Sequence, residues 1–201
     1  MNYTAIDFET ANTSSESACA IGLATFSSEG ELVETYYTLL RPRELYFDIR
    51  CQMVHGISPE KIISAPSLED VWSDILLFIG KNPLVAHNAP FDMKVFKDSA
   101  ASFNLSGLES DYYCTLSLAR KVAPGLASYR LTSLAEHFNL GLYDAHMALD
   151  DAITCGKLFH VLCGSSLCDK TAFDAFMKKN YRDRRTGYPK RIVTEDSLLF
   201  S

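Results

Sequence analysis

Apolar and β-forming residues gather in three short runs near the start of the chain, at 2–8 (NYTAIDF), 18–26 (ACAIGLATF) and 32–39 (LVETYYTL). Each has the length of a strand. Ser27, Ser28 and Gly30 supply turn chemistry between the second and third runs, and Arg41-Pro42 closes the third. Three strands so linked predict an antiparallel meander. After Pro66 the apolar period lengthens to that of a helix: Leu68, Val71, Trp72, Ile75 and Ile79 follow a Ser67 N-cap with Asp70 three residues on, until Gly80 and Pro83 stop the pattern. A short strand, Leu84-Val85-Ala86, leads to Pro90 and a helix carrying Met93 and Phe96. Further helices are predicted over 115–122, from about 132 to 138, and over roughly 145–163. Alternation of strands and helices after a meander predicts an α/β fold, a mixed sheet with helices on its faces. Residues 164–201 have little apolar periodicity. They read as a C-terminal extension with one short helix near 171–179 and a basic, turn-rich segment.

Composition narrows the class. The chain has 201 residues, 47% hydrophobic and 22% charged, which excludes wholesale disorder and allows one sizeable core. No apolar run reaches the roughly 20 residues of a membrane helix, and the start lacks a basic segment followed by an apolar one; the expectation is a cytoplasmic protein with no membrane partner. The six cysteines form no C-x-x-C pair and no zinc-type cluster with histidine, so they read as reduced structural thiols. Net charge is −6, unevenly spread. Residues 1–169 hold 11 Lys/Arg against 21 Asp/Glu, whereas 170–191 hold 8 against 2. An acidic body is a poor electrostatic binder of nucleic acid. It remains compatible with an enzyme that places divalent cations between its carboxylates and a phosphate.

Three acidic sites fit such an enzyme. Asp7 and Glu9 are two apart on the first strand and share a face, where they repel unless a cation lies between them. Alone, this pattern also suits two solvated acids at a strand end. Asp92, in the segment His87-Asn88-Ala89-Pro90-Phe91-Asp92, falls in the first turn of a helix that follows a buried strand. There it either meets a ligand at the strand's carboxyl end or simply faces the helix dipole. The third site is His146 to Asp151. The helical stripe through Ala148, Ala152, Cys155, Phe159 and Leu162 leaves Asp150 about 160° from its centre and Asp151 about 100° away, at its edge. A carboxylate beside a buried face needs a partner, so Asp151 is the site candidate and Asp150 its solvated neighbour. Hard carboxylate oxygens suit Mg²⁺ or Mn²⁺, and a histidine beside them suits general-base work on water; the chemistry implied is two-metal phosphodiester hydrolysis.

Taken together, these segments resemble the DEDDh 3′–5′ exonucleases, the family that includes the proofreading epsilon subunit of bacterial DNA polymerase III. The resemblance rests on Asp7-Phe8-Glu9-Thr10, on His87 to Asp92, on His146 to Asp151, on Val54-His55-Gly56-Ile57-Ser58 and on the stretch 115–125. It covers about residues 1–163, which would form the exonuclease domain, with 164–201 appended. It implies an RNase H-like fold with a five-stranded mixed sheet flanked by helices. It also implies that Asp7, Glu9, Asp92 and Asp151 hold two divalent ions, with Asp7 bridging, and that His146 activates the attacking water. Thr10, Ala11, Val54, His55 and Phe91 are the residues expected to touch substrate, Phe91 through its aromatic face.

The implied activity removes nucleoside 5′-monophosphates from the 3′ end of single-stranded DNA. The alternatives are an RNA-trimming 3′–5′ exoribonuclease and a non-catalytic polymerase-associated module, though the latter would need a lost ligand and all five catalytic types are present. With no long linker leading to a further binding region, the chain reads as a stand-alone nuclease. The basic segment (Lys178, Lys179, Arg182, Arg184, Arg185, Lys190, Arg191) is either a solvated tail or a phosphate tether. The terminal Leu198-Leu199-Phe200 either folds back on the body or, in loose resemblance to peptides that dock on the replication sliding clamp, binds such a partner.

Overall fold

The computed structural model describes residues 1–181 and 190–194. Strands β1 (Tyr3–Thr10), β2 (Ala18–Phe26) and β3 (Leu32–Leu39) form the expected antiparallel meander. Helices α1 (Ile49–His55), α2 (Pro59–Ile63) and α3 (Leu68–Ile79) follow. Then come β4 (Leu84–Ala86), α4 (Ala89–Ser102), β5 (Glu109–Cys114), α5 (Thr115–Val122), α6 (Leu131–His137) and α7 (Ala148–Cys163). A 3₁₀ turn over Gly164–Cys168, α8 (Lys170–Asn180) and β6 (Lys190–Val193) complete the described chain. The sheet order is β3-β2-β1-β4-β5-β6, with β1, β4 and β5 parallel and the remaining pairs antiparallel. This is the mixed, helix-flanked sheet expected, with six strands in place of five.

The added strand comes from the basic extension. Ile192 is buried in β6, and Leu167, Phe173, Met177 and Tyr181 join the same core as β1. Tyr113 on β5 ties them in: its ring stacks on Phe159 at 5.7 Å and meets Phe173 edge-on at 5.3 Å. The Tyr181 hydroxyl accepts the Cys114 N–H at 2.8 Å. Arg191 pairs with Glu109 and Asp111 on the neighbouring strand. Arg182, Arg184 and Arg185, and the terminal Leu198-Leu199-Phe200, lie outside the described residues.

Local chemistry explains the ends of the helices that set the site. Ser67 and Asp70 form a reciprocal capping box on α3, the Ser67 N–H reaching the Asp70 carboxylate at 2.8 Å. The last long helix starts at Ala148, three residues later than the expected 145, because His146 adopts a left-handed φ of 70° that no helix accommodates. β2 is buried along all nine residues, since elements cover both its faces. On it, Gly22 stands directly opposite Asp7, and the start of α7 packs against it so closely that a Cβ there would lie 2.3 Å from the Ala148 carbonyl. That missing side chain is what lets α7 approach β1.

Candidate active site

The sheet order puts the carboxyl ends of β1 and β4 side by side, and α7 crosses above them. Asp7 and Glu9 project from β1. Asn88 turns the chain after β4 through a left-handed φ of 71°, so that α4 begins at Ala89 and places Asp92 in its first turn, buried. Asp151 sits in the first turn of α7. One carboxylate oxygen from each of Asp7, Glu9 and Asp151 lies within 4.8 Å of the others. Asp92 is buried and feels the charges of Glu9 and Asp151, the Phe8 and Asp92 amides favour its charged form, and its Oδ2 is buried with no hydrogen-bond partner among the described residues.

The electrostatics are those of a cation site. None of the four acids forms a salt bridge among the described residues. Burial first, then the charges of Asp92, Asp151 and Glu9, push the Asp7 carboxyl well above the usual carboxylate range. Burial and Asp151 push Glu9 up to about 8. Burial also raises Asp92, strongly, and Asp151, against the stabilising His146 amide. Three convergent acids that resist ionising, with Asp92 raised beside them and carrying an orphaned buried oxygen, are a hard-oxygen donor set for a divalent ion.

His146 precedes α7, and its N–H donates to Asp151 Oδ2 at 2.8 Å. Its side chain lines a cleft of about 890 Å³ together with Asp7 and Asp151. Glu9 opens instead onto a smaller cleft of about 350 Å³, where Thr10, Val54 and His55 form the wall. The carboxylates therefore lie where two clefts meet. Asp150 turns away from Asp7 and accepts the Asp144 N–H at 3.3 Å.

The residues expected to touch substrate are not all gathered. Thr10 and the half-exposed Val54 face the smaller cleft. Ala11 is buried, with its N–H donated to Ser17 O and its carbonyl accepting the Asp48 N–H, both at 2.8 Å. His55 lines the cleft but is held from within: its Nδ1 accepts the Ile57 N–H at 3.0 Å, and its ring also reaches the Thr10 backbone and the Cys19 thiol. Burial lowers its pKa. Phe91 is half exposed at the start of α4 and lines neither cleft.

Two residues that sequence reasoning passed over belong here. His87 lines the larger cleft with both ring nitrogens engaged, Nδ1 with Thr115 Oγ1 at 2.8 Å and Nε2 with the Tyr129 carbonyl at 3.0 Å. Its place in the His87 to Asp92 segment was the available signal. Tyr143 lines that cleft with a buried hydroxyl that has no hydrogen-bond partner among the described residues, and the charge of nearby Asp151 adds to burial in raising the phenol's pKa. No periodicity marks that residue.

The mixed sheet flanked by helices is an RNase H-like fold. The family model described as Exonuclease matches residues 4–159, and the chain belongs to that family. It is a 3′–5′ exonuclease, a hydrolase of phosphodiester bonds. It is 31% identical over 158 residues to the DNA polymerase III subunit epsilon of Aquifex aeolicus, covering 78% of each chain. It is 31% identical over 134 residues to the 3′–5′ exonuclease DinG of Staphylococcus epidermidis, spanning 67% of this chain and 15% of DinG. In fold it is similar to E. coli exonuclease I crystallised with a dT13 oligonucleotide, with a TM-score of 0.71 at 16% identity over 87% of this chain and 43% of that one.

Proposed function

We propose that the enzyme degrades single-stranded DNA from its 3′ end in a reaction that depends on two divalent ions, Mg²⁺ or Mn²⁺, releasing nucleoside 5′-monophosphates. The observation that carries this reading is the meeting of Asp7, Glu9 and Asp151 oxygens within 4.8 Å at the junction of two clefts, with His146 beside them. Asp7, Glu9, Asp92 and Asp151 would hold the ions, which when bound supply charge stabilisation at the scissile phosphate and lower the pKa of water. His146 accepts the proton of the attacking water as its oxygen bonds to phosphorus and the P–O3′ bond breaks. The 3′-oxygen leaves with the shortened strand and takes up a proton. The His146 amide on Asp151 couples the position of the base to that of a ligand. Thr10 and Val54 border the smaller cleft, which offers a wall for the terminal nucleotide. DNA is favoured by the likeness to the epsilon subunit and to exonuclease I bound to dT13.

The test is digestion of matched 5′-labelled and 3′-labelled single-stranded DNA and RNA oligonucleotides with Mg²⁺, Mn²⁺ or EDTA. The expected result is a ladder shortening from the 3′ end of DNA, with mononucleotide product and silence in EDTA. Full activity in EDTA, or shortening from the 5′ end, overturns the reading. Faster consumption of RNA would replace DNA by RNA as the substrate.

A further inference from the structure

The acidic body sets a problem for any polyanionic substrate, since residues 1–169 carry ten more acids than bases. Part of the answer stands on the wall of the larger cleft that faces the carboxylates. Its two cationic side chains are Arg120, in the last turn of α5, and Arg130, the N-cap residue of α6. Both are exposed, and neither has an ion-pair partner among the described residues. Ser128 and Thr132 line the same wall with hydroxyls.

This wall is built and braced. The Arg120 guanidinium lies over the Tyr129 ring, 5.8 Å from its centroid, which restrains a side chain that would otherwise sweep through solvent. Tyr129 is fixed in turn, its hydroxyl donating to the Ala123 carbonyl at 2.8 Å and its own carbonyl bonded by His87. His87 also bonds Thr115 at the start of α5, so the wall is tied to the end of β4, the same strand end from which α4 carries Asp92. Arg120 is thus held on the wall that shares the cleft with Asp7 and Asp151, Arg130 projects from the same wall, and guanidinium forks match phosphate oxygens.

We propose that Arg120 and Arg130, helped by the Ser128 and Thr132 hydroxyls, bind the phosphodiester backbone of the strand that lies in the larger cleft. The inference rests on the nuclease reading above and adds the residues that grip the substrate beyond its terminal nucleotide. Of the basic residues near the C-terminus, Arg191 is already paired with Glu109 and Asp111.

The test compares Arg120→Gln, Arg130→Gln and the double variant on two substrates in Mg²⁺. One is a long single-stranded oligonucleotide; the other is the p-nitrophenyl ester of thymidine 5′-monophosphate, which has no upstream backbone. Each substitution should lower the ratio of oligonucleotide to ester kcat/KM on the order of tenfold, through KM. The double variant should also flatten the dependence of log affinity on log salt by about 1.4, two contacts at roughly 0.7 each for a single strand. The lysine pair, Arg120→Lys with Arg130→Lys, should restore the salt slope. An unchanged ratio, or an equal loss on both substrates that lysine does not rescue, overturns the proposal. A native enzyme inert on both substrates would overturn the catalytic reading instead; binding of the same oligonucleotide to the native and glutamine proteins, followed by fluorescence anisotropy, would then still decide the wall.

Discussion

Gly22→Ala is a one-carbon change at a buried residue that is not itself a ligand, and it should disable the enzyme. The added Cβ would lie 2.3 Å from the carbonyl carbon and oxygen of Ala148 and 2.4 Å from the Leu149 nitrogen. These are backbone atoms and cannot rotate aside. Opening the contact to 3.4 Å, the lower edge of ordinary van der Waals distance, displaces the first turn of α7 from β2 by about 1.1 Å. That turn carries Asp151 and, through the amide contact, His146, whereas Asp7 sits on β1 directly across from Gly22. The substitution therefore pulls ligands apart within a cluster only 4.8 Å wide. Overpacking should destabilise the fold by about 1–3 kcal/mol. Misplacement on the order of 1 Å should lower kcat about 10²-fold. Steady-state hydrolysis of a labelled oligonucleotide, measured below the variant's Tm and across a Mg²⁺ titration, reads both the rate and a raised metal midpoint. Gly156→Ala is the comparison. Its Cβ would meet the Phe26 ring at 2.1 Å, a side chain inside the core, and should lower Tm with a much smaller loss of rate. A Gly22→Ala enzyme with native kcat and native metal midpoint would refute the reasoning, whatever its Tm.

Two further outcomes follow from the carboxylate cluster and its flank, and a third concerns the C-terminal segment. Without metal, Glu9 titrates near 8 and Asp7 and Asp92 are also raised, so the folded chain keeps protons that the unfolded chain releases near pH 4. The contribution of these acids to stability in EDTA should therefore be greatest below that pH and be lost as pH rises toward 8; Asp7→Asn should make Tm less sensitive to this rise while abolishing turnover, and a native Tm no more sensitive to pH over this interval than the variant's would contradict it. His146→Ala should slow turnover by about 10²- to 10⁴-fold, and Asp151→Asn should cripple the enzyme where Asp150→Asn does little; the reverse order for the two aspartates would refute their placement. If the terminal Leu198-Leu199-Phe200 docks on a replication sliding clamp rather than folding back on the body, a peptide of residues 192–201 should bind that clamp weakly and lose binding on Phe200→Ala; no binding at high micromolar peptide would end that idea.

Much of the site was legible because it rests on local periods. A strand's alternation puts Asp7 and Glu9 on one face, and the helical stripe of α7 separates Asp151, which meets Asp7, from Asp150, which does not. The Ser67 and Asp70 pair marked the start of α3 for the same reason: a cap is chemistry within four residues. What stayed hidden is non-local or too short to show a period. α1 and α2 have seven and five residues, below the length at which a repeat stands out. β6 is four residues held by the edge of β5, so its existence depends on the partner more than on its own pattern. The left-handed turn at His146 cut three residues from the expected helix. The wall of Arg120, Tyr129 and Arg130 joins the last turn of α5 to the start of α6, a pairing that no periodic pattern marks. The sequence by itself determined which carboxylates face inward. Only the tertiary structure brought residues 7, 92 and 151 together, because their distance depends on the pairing of β1 with β4 and on the close approach of α7 that a missing side chain at Gly22 allows.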